Sequence, residues 1–272
     1  MARYALRGGA EGKRRLDLLA KAMAPTTQAL LAEVGVPAGS SCVDLGCGAG
    51  HVGRYIADLV GPTGRVLGLD FDAVKVEIAQ GESDPARYSN LEFRVANVAE
   101  WVEPDTWDLV YGRFILSHLT DRQGVVRRSA ASVRPGGTVV FEDIDFAGTF
   151  SYPPNQAFRR YSDWYCAVIA RRGGDAFLGP QLQDLCLDAG LEQVQLRMVQ
   201  PVHTGDASGK TLSFSTLVNI RDAVLAEGLA TAAELDDAVT QLGAFTADPR
   251  SIIGYPRIFQ VWGHRSKNLP PR

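Results

Sequence analysis

The stretch Val43-Asp44-Leu45-Gly46-Cys47-Gly48-Ala49-Gly50 decides the fold, because an apolar run reaches an acidic residue and then three alternating glycines. Such a run predicts a buried strand followed by a tight turn into a helix. Glycine has no Cβ, so the backbone of this turn can approach a ligand closely. Asp44, at the end of the strand, can accept hydrogen bonds from an ammonium group. The pattern therefore predicts a site for a cationic, nucleotide-like ligand.

The same residues also fit a fingerprint for dinucleotides. Gly48-Ala49-Gly50-His51-Val52-Gly53 satisfies G-x-G-x-x-G, and the acidic Asp70 lies twenty residues beyond Gly50. A pyrophosphate prefers bare backbone N–H groups, whereas a carboxylate directly before the loop repels it. Asp44 thus favours a cationic cofactor. A nicotinamide-dependent oxidoreductase, and a tight turn that binds nothing, are the alternatives.

Length and composition narrow the class of protein. The 272 residues suffice for one large α/β domain. Apolar residues make up 46% and charged residues 22% of the chain, which argues against disorder. The net charge of −3 argues against nucleic acid as a partner. The four cysteines lack the spacing of metal ligands, so we expect reduced thiols. The N-terminus lacks the apolar core of a signal peptide, and no window holds eighteen uninterrupted apolar residues. These features predict a cytoplasmic protein without a membrane partner.

Strand and helix patterns alternate along most of the chain. Two amphipathic helices are predicted within residues 11–35, separated near Pro25. Strands are predicted at 42–45, 65–70, 91–95, 107–111, 138–141, 193–198 and 258–262, with helices at 51–60, 73–80, 120–133, 181–189, 212–225 and 232–242. The alternation predicts an α/β fold with a doubly wound, mostly parallel sheet of seven strands.

The turn Val133-Arg134-Pro135-Gly136-Gly137, together with the glycine loop and Asp70, resembles the class I S-adenosylmethionine (SAM) dependent methyltransferases that act on small molecules. The resemblance extends over nearly the whole chain. It implies a Rossmann-like sheet with helical cap insertions, and SAM as the cofactor.

The resemblance also implies one methyltransferase domain over residues 1–272. Its expected parts are a helical N-terminal lid (1–37), a SAM-binding core (38–145), a cap insertion after strand five (146–180), a helix and strand six (181–206), a helical insertion (207–250), and the last strand with a tail (251–272).

Several residues after the strands are candidates for holding the cofactor. Asp70 is placed to accept both ribose hydroxyls, although it could instead cap the next helix. Phe71 is expected to cover one face of the adenine, and the resemblance places Asn97 at the adenine amino group. Arg113 could meet the methionine carboxylate or a substrate anion. The predicted cofactor-binding residues are Tyr4, Arg15, Asp44, Gly46, Cys47, Gly48, Gly50, Asp70, Phe71, Asn97, Val98 and Arg113; Tyr4 and Arg15 resemble lid residues of related enzymes.

SAM carries its own leaving group, so the protein mainly has to align the reactants and exclude water. His118 could serve as a base near pH 7, or it could be a packed histidine. Glu142 and Asp143 are expected just past strand five, over the substrate mouth, as a base, as an anchor for an amine, or as solvated loop carboxylates. No metal is predicted, because Arg113 stands where the metal-dependent relatives need an oxygen ligand.

Residues 146–177 contain eight aromatic side chains. They predict a cap over an apolar pocket, although helical spacing also suits ordinary core packing. The expected substrate-pocket residues are Phe146, Tyr161, Trp164 and Tyr165. The predicted function is methyl transfer to an oxygen or nitrogen nucleophile of a small, largely apolar molecule, such as a secondary metabolite. An NAD(P)-dependent oxidoreductase and a non-catalytic SAM-binding module are the alternatives, and an exposed aromatic cap would suit a homodimer.

Overall fold

The structure is a computed structural model that describes residues 9–205 and 207–267. The prediction for Tyr4 lies outside these residues. The helices are α1 (Gly9–Val34), α2 (His51–Val60), α3 (Ala73–Gly81), α4 (Arg122–Ser132), α5 (Gln156–Arg171), α6 (Leu182–Asp188), α7 (Thr211–Ala226) and α8 (Ala232–Ala247). The strands are β1 (Ser41–Leu45), β2 (Arg65–Asp70), β3 (Leu91–Val95), β4 (Trp107–Arg113), β5 (Val133–Asp145), β6 (Phe150–Tyr152), β7 (Leu191–Val199), β8 (Val202–His203), β9 (Ile252–Gly254) and β10 (Arg257–Arg265).

Seven strands form the central sheet in the order β3-β2-β1-β4-β5-β10-β7. The pairs among β1 to β5 are parallel, and β10 runs antiparallel to both β5 and β7. The central strands β1 and β2 are almost wholly buried, as expected for a parallel sheet that is covered by helices on both faces. The predicted doubly wound, mostly parallel, seven-stranded sheet is confirmed.

The two faces of the sheet have separate apolar cores. Leu30 and Leu31 of α1 pack with α2 against one face, where Tyr111 and Trp262 lie. Side chains of α4 and α6 pack on the other face with alternate residues of the same strands, such as Val110. The carboxyl ends of β1, β2 and β4 therefore open at one edge, which is the edge where ligands bind in such folds.

Helix α1 corrects the prediction of two separate N-terminal helices. It is one helix of 26 residues with Pro25 in its interior. An internal proline removes a backbone hydrogen bond and costs about 3 kcal/mol in an isolated helix. The helix continues through it because Met23, Leu30 and Leu31 are buried on the protein, which rewards the helical path on both sides of the proline.

Strand β5 is longer than predicted, and this changes the position of the acidic residues near its end. It extends through Asp145 because β10 pairs with it from Thr138 to Asp145. Glu142 and Asp143 therefore lie inside the strand and are 1% exposed, not in a loop past its end. Their predicted location over the substrate mouth is wrong.

A helical cap lies over the open edge of the sheet. Helices α5, α7 and α8 share one apolar cluster that includes Phe146, Tyr161 and Tyr165. The predicted helices of residues 212–225 and 232–242 are confirmed as α7 and α8. A small antiparallel sheet in the order β6-β9-β8 was not predicted, because its strands are only two or three residues long.

Candidate active site

The loop after β1 is shaped by three glycines that all have positive φ angles: Gly46 at 71°, Gly48 at 55° and Gly50 at 76°. Gly46, Cys47 and Gly48 line a cavity at the open edge of the sheet. Gly50 does not line it. A Cβ on Gly50 would lie 2.5 Å from the ring of Phe93, so this glycine allows α2 to start against the sheet. Its predicted role at the cofactor is therefore corrected to one in packing.

Asp70 closes the end of β2 and is almost wholly buried. Its Oδ2 accepts a hydrogen bond from the Gly48 N–H at 3.0 Å, and its Oδ1 accepts one from the Asp72 N–H at 3.0 Å. The carboxylate lines the cavity, beside a Phe71 ring that is 47% exposed. Asp72, not Asp70, caps α3 through the Val74 N–H. Asp70 thus faces the cavity, and the alternative that it is merely a helix cap is wrong.

Asp44 is a buried carboxylate that faces the same cavity. Its Oδ2 has no hydrogen-bond partner among the described residues. Burial raises the pKa of Asp44 to about 7, against the opposing charge of Arg113. Arg113, at the end of β4, also lines the cavity and donates from Nη1 to Thr27 Oγ1 at 3.0 Å. An orphaned buried acceptor suits a cationic or hydrogen-bond-donating group of a ligand.

Past β3, the chain contributes Val98 but not Asn97 to the cavity. Val98 is buried in the wall, whereas Asn97 is exposed. The Asn97 side chain donates to Glu100 Oε1 at 2.7 Å and accepts from the Ala99 N–H at 3.1 Å. It is engaged in an Asx turn, which is the ordinary role of asparagine after a strand. The Asn97 side chain thus does not line the cavity, and its contact with an adenine stays a prediction.

The cavity runs without interruption from the glycine loop to the cap. Counted with its open mouth, it encloses about 1280 Å³. Phe146, Tyr161 and Tyr165 line the cap end, and Phe146 stacks on Tyr165 with ring centroids 4.7 Å apart. Trp164 does not line the cavity, because its ring packs against the apolar cluster of the cap. Three of the four predicted substrate-pocket residues are thus brought together.

His118 lies in the wall between the two ends of the cavity. Burial lowers the pKa of His118 to about 3, and the positive charges of Arg15, Lys75 and Arg172 act in the same direction. The imidazole is therefore neutral at pH 7. A neutral imidazole can donate one hydrogen bond and accept another, but a buried histidine with cations nearby is a weak proton acceptor.

The side chains of Glu142 and Asp143 are bonded to neighbouring protein groups and do not reach the cavity. Glu142 accepts hydrogen bonds from Thr27 Oγ1 at 2.8 Å and from the Tyr111 hydroxyl and the Gln260 amide. Asp143 accepts one from the Ser117 N–H at 3.0 Å, and burial raises its pKa to about 6. Neither residue lines the cavity. Their side chains lie under the covering helices, so the predicted catalytic positions are corrected to structural ones.

Helix α1 is fastened over the glycine loop by ion pairs. Lys13 Nζ lies 2.6 Å from Asp17 Oδ2 and 2.7 Å from Glu82 Oε1, and His51 Nε2 lies 3.1 Å from Asp17 Oδ1. Asp17, His51 and Glu82 are the one group among the described residues whose potential metal-ligand atoms lie within 4.8 Å of one another. Lys13 already neutralises both carboxylates, so the group joins α1 to the core.

Several cavity residues were missed by sequence reasoning. Met23 and Leu19 lie four residues apart on α1, a helical spacing that could have indicated a shared face. Thr216 of α7 and Tyr255, just after β9, meet Arg15 only through the folding of the cap. Both lie more than two hundred residues from Arg15, which leaves no local signal in the sequence.

Comparisons with known proteins agree with this geometry. Residues 38–172 match the family model described as a methyltransferase domain. A 2-phytyl-1,4-naphtoquinone methyltransferase of Thermosynechococcus vestitus is 31% identical over 48% of this chain and 55% of its own length. A demethylmenaquinone methyltransferase of Bacillus licheniformis is 37% identical over 39% of this chain and 45% of its own length. The chain thus spans about half the length of these curated relatives.

A solved structure shows the same fold over more of the chain. The phosphoethanolamine N-methyltransferase 2 of Haemonchus contortus, in complex with phosphomonomethylethanolamine and S-adenosylhomocysteine, has a TM-score of 0.55 at 15% identity, over 89% of this chain and 52% of its own. Within the described residues, no helix has the length and apolar character to cross a membrane. The sheet order, the glycine loop with its two aspartates and the matched domain place the chain among the class I SAM-dependent methyltransferases.

Proposed function

We propose that this protein transfers the methyl group of SAM to an oxygen or nitrogen nucleophile of a small, largely apolar acceptor. The observation that carries the proposal is the single cavity with two unlike ends. One end has the glycine loop, Asp44 and Asp70, and the other has stacked aromatic rings of the cap. Such a cavity can hold a polar nucleotide-like cofactor and an apolar second molecule in contact.

The cofactor end fits SAM in its charges. Asp44 offers an unpartnered buried carboxylate oxygen for the ammonium group, and Asp70 offers a carboxylate for the ribose hydroxyls. Arg113, which lines the cavity at the end of β4, can meet the methionine carboxylate. Bound SAM supplies an electrophilic methyl group with its own leaving group. The chain then has to align the two molecules and exclude water, which the aromatic cap favours.

The names of the relatives support an aromatic acceptor. One curated relative is named for a 1,4-naphthoquinone and another for demethylmenaquinone, and both are aligned over about half of their own length. We therefore take bicyclic phenols and amines as the first acceptors to test. The stacked Phe146 and Tyr165 rings would offer such a molecule an apolar face.

Calorimetric titration with S-adenosylhomocysteine and, in parallel, with NADH tests the cofactor. We expect micromolar binding of S-adenosylhomocysteine alone. Asp70→Asn should weaken it roughly ten- to a hundredfold, because charge-assisted hydrogen bonds are worth about 1.5–3 kcal/mol. Asp188→Asn, on the exposed end of α6, is the matched control and should bind as the wild type does. Binding of NADH alone would move the chain to the oxidoreductases.

A 2′-deoxy analogue of S-adenosylhomocysteine separates the ribose contact from the shape of the loop, since Asp70 also holds the Gly48 N–H. The wild type should bind the 2′-deoxy analogue more weakly than S-adenosylhomocysteine, whereas Asp70→Asn should bind the two molecules with nearly equal affinity. Equal losses in both proteins would contradict the contact between Asp70 and the ribose.

Turnover is measured as S-adenosylhomocysteine formed from SAM with 1-naphthol, 1-naphthylamine and 1,4-naphthohydroquinone. Mass spectrometry of the products then places the methyl group on oxygen, nitrogen or carbon. Methylation at carbon alone would refute the oxygen or nitrogen assignment. Tight cofactor binding without turnover across a broad acceptor set would favour the non-catalytic SAM-binding module.

A further inference from the structure

Arg15 is the basic side chain that α1 inserts into the cap end of the cavity. It is 8% exposed, and its Nε donates to Thr216 Oγ1 at 3.0 Å. The Thr216 hydroxyl in turn donates to the Leu212 carbonyl at 2.7 Å, so its single proton is used and its oxygen is aimed at Arg15. Within residues 9–205 and 207–267, no acceptor lies within hydrogen-bond distance of either Nη atom of Arg15. The arginine is thus oriented by one nitrogen and keeps the others for a ligand.

The described residues also supply no carboxylate that pairs with Arg15. The other basic residues of the cavity lie near carboxylates: Lys75 Nζ is 3.9 Å from Asp72 Oδ2, and Arg113 acts on Asp44. Arg15 forms no ion pair with any carboxylate in the part of the chain that the structure describes. A guanidinium stays charged at every working pH, and a buried charge is costly unless an anion pairs with it. The cavity therefore presents a fixed cation to whatever enters it.

The neighbours of Arg15 assign it to the acceptor and not to the cofactor. Burial raises the pKa of the Tyr161 and Tyr255 hydroxyls, and the positive charge of Arg15 opposes that rise in both. These tyrosines and Thr216 belong to the cap. At the loop end, Arg113 is available for the carboxylate of the cofactor.

We propose that the methyl acceptor is an aromatic molecule that binds as an oxyanion, with Arg15 as its counter-ion at the cap end of the cavity. The inference rests on the proposed function and names the class of its acceptor: acidic phenols, enols or carboxylic acids. The neutral His118 offers no strong base nearby, so an acceptor that ionises before it binds suits this site. The prediction from the sequence that Arg15 serves the cofactor becomes the competing outcome.

Calorimetry with two pairs of probes tests the inference, with and without S-adenosylhomocysteine. One pair is 2-hydroxy-1,4-naphthoquinone, an enolate at pH 7, and its neutral 2-methoxy ether. The other is 2-naphthoate and its neutral methyl ester. We expect the wild type to bind at least one anion roughly ten- to a hundredfold more tightly than its neutral partner, and the pair that shows the preference tells enolate from carboxylate.

Arg15→Met should remove the preference while the neutral probes still bind, which also shows that the variant is folded. Arg15→Lys should keep part of the preference for the anion, because lysine retains the positive charge but lacks the planar guanidinium that binds an oxyanion through two nitrogens. Arg14→Met, on the neighbouring exposed arginine, is the matched control and should retain the full preference.

Two results would overturn the inference. One is a wild type that prefers neither anion. The other is an Arg15→Met variant that keeps the preference and instead loses affinity for S-adenosylhomocysteine, which would assign Arg15 to the cofactor. Failure of the wild type to bind S-adenosylhomocysteine would refute the proposed function, yet the probe titrations without cofactor would still decide the role of Arg15.

Discussion

Replacing Asp44 with asparagine should stabilise the protein without ligand and weaken its binding of the cofactor. Burial raises the pKa of this carboxyl from its ordinary value of 3.8 to about 7. A folded-state pKa above the unfolded one means that the stability contribution is complete below pH 4 and is lost as the pH rises through 7. Ionisation of the buried Asp44 therefore lowers the free energy of unfolding of the wild type more and more as the pH rises from 4 to above 7. Asp44→Asn has no such ionisation.

The size of the effect follows from the two pKa values. Linkage between pH 5 and pH 8 gives a loss of roughly 2 to 3 kcal/mol for a carboxyl with these two pKa values. We expect the free energy of unfolding of the wild type to fall by about that much relative to Asp44→Asn. The difference between the two proteins at the two pH values isolates Asp44 from other groups, such as Asp143, that titrate in both.

Urea unfolding of the ligand-free proteins at pH 5 and pH 8 measures this quantity. Asp188→Asn, at an exposed position, serves as the control and should follow the wild type at both pH values. In parallel, S-adenosylhomocysteine should bind the wild type more tightly as the pH rises through 7, because its ammonium group prefers an ionised Asp44. The variant should bind weakly and with little dependence on pH. A wild type that loses no more stability than Asp44→Asn between the two pH values would refute the reasoning.

Two further predictions concern His118 and the glycine loop. Burial and nearby cations lower the pKa of His118 to about 3, so the pH–rate profile of turnover should show no ionisation of this residue between pH 5 and 9. The variant His118→Asn should therefore give a profile of the same shape. A step near pH 6–7 that is present in the wild type and absent from the variant would show that the histidine acts as a base. Gly50→Ala should lower the free energy of unfolding by about 2 kcal/mol or more in urea titrations, because strain at positive φ adds to overlap with Phe93. Gly35→Ala has the same positive φ but open space around it, so it should cost less, and equal costs would exclude the overlap as the cause.

The sequence predicted the sheet well because its signals are local. The apolar strands, the glycine turns and the acidic residues at strand ends each occupy a few consecutive positions, and Asp44 and Asp70 were found from them. Glu142 was misplaced because the length of β5 is set by its antiparallel partner β10, more than a hundred residues later. Thr216 and Tyr255 were missed for the same reason, since only tertiary packing brings them to Arg15.

The unbroken course of α1 ties the two ends of the cavity together. Arg15 and Thr27 lie on this one helix, twelve residues apart, which corresponds to about 18 Å along a helical axis. Thr27 accepts from Arg113 at the cofactor end and donates to the buried Glu142, while Arg15 reaches Thr216 at the cap end. Two helices with a joint at Pro25 would let these contacts move independently. A single helix, buried through Leu30 and Leu31 and joined to the core by Lys13, instead holds Arg15 and Thr27 at one separation. If Arg113 and Arg15 have the roles proposed above, α1 would therefore fix the spacing between the cofactor and the acceptor.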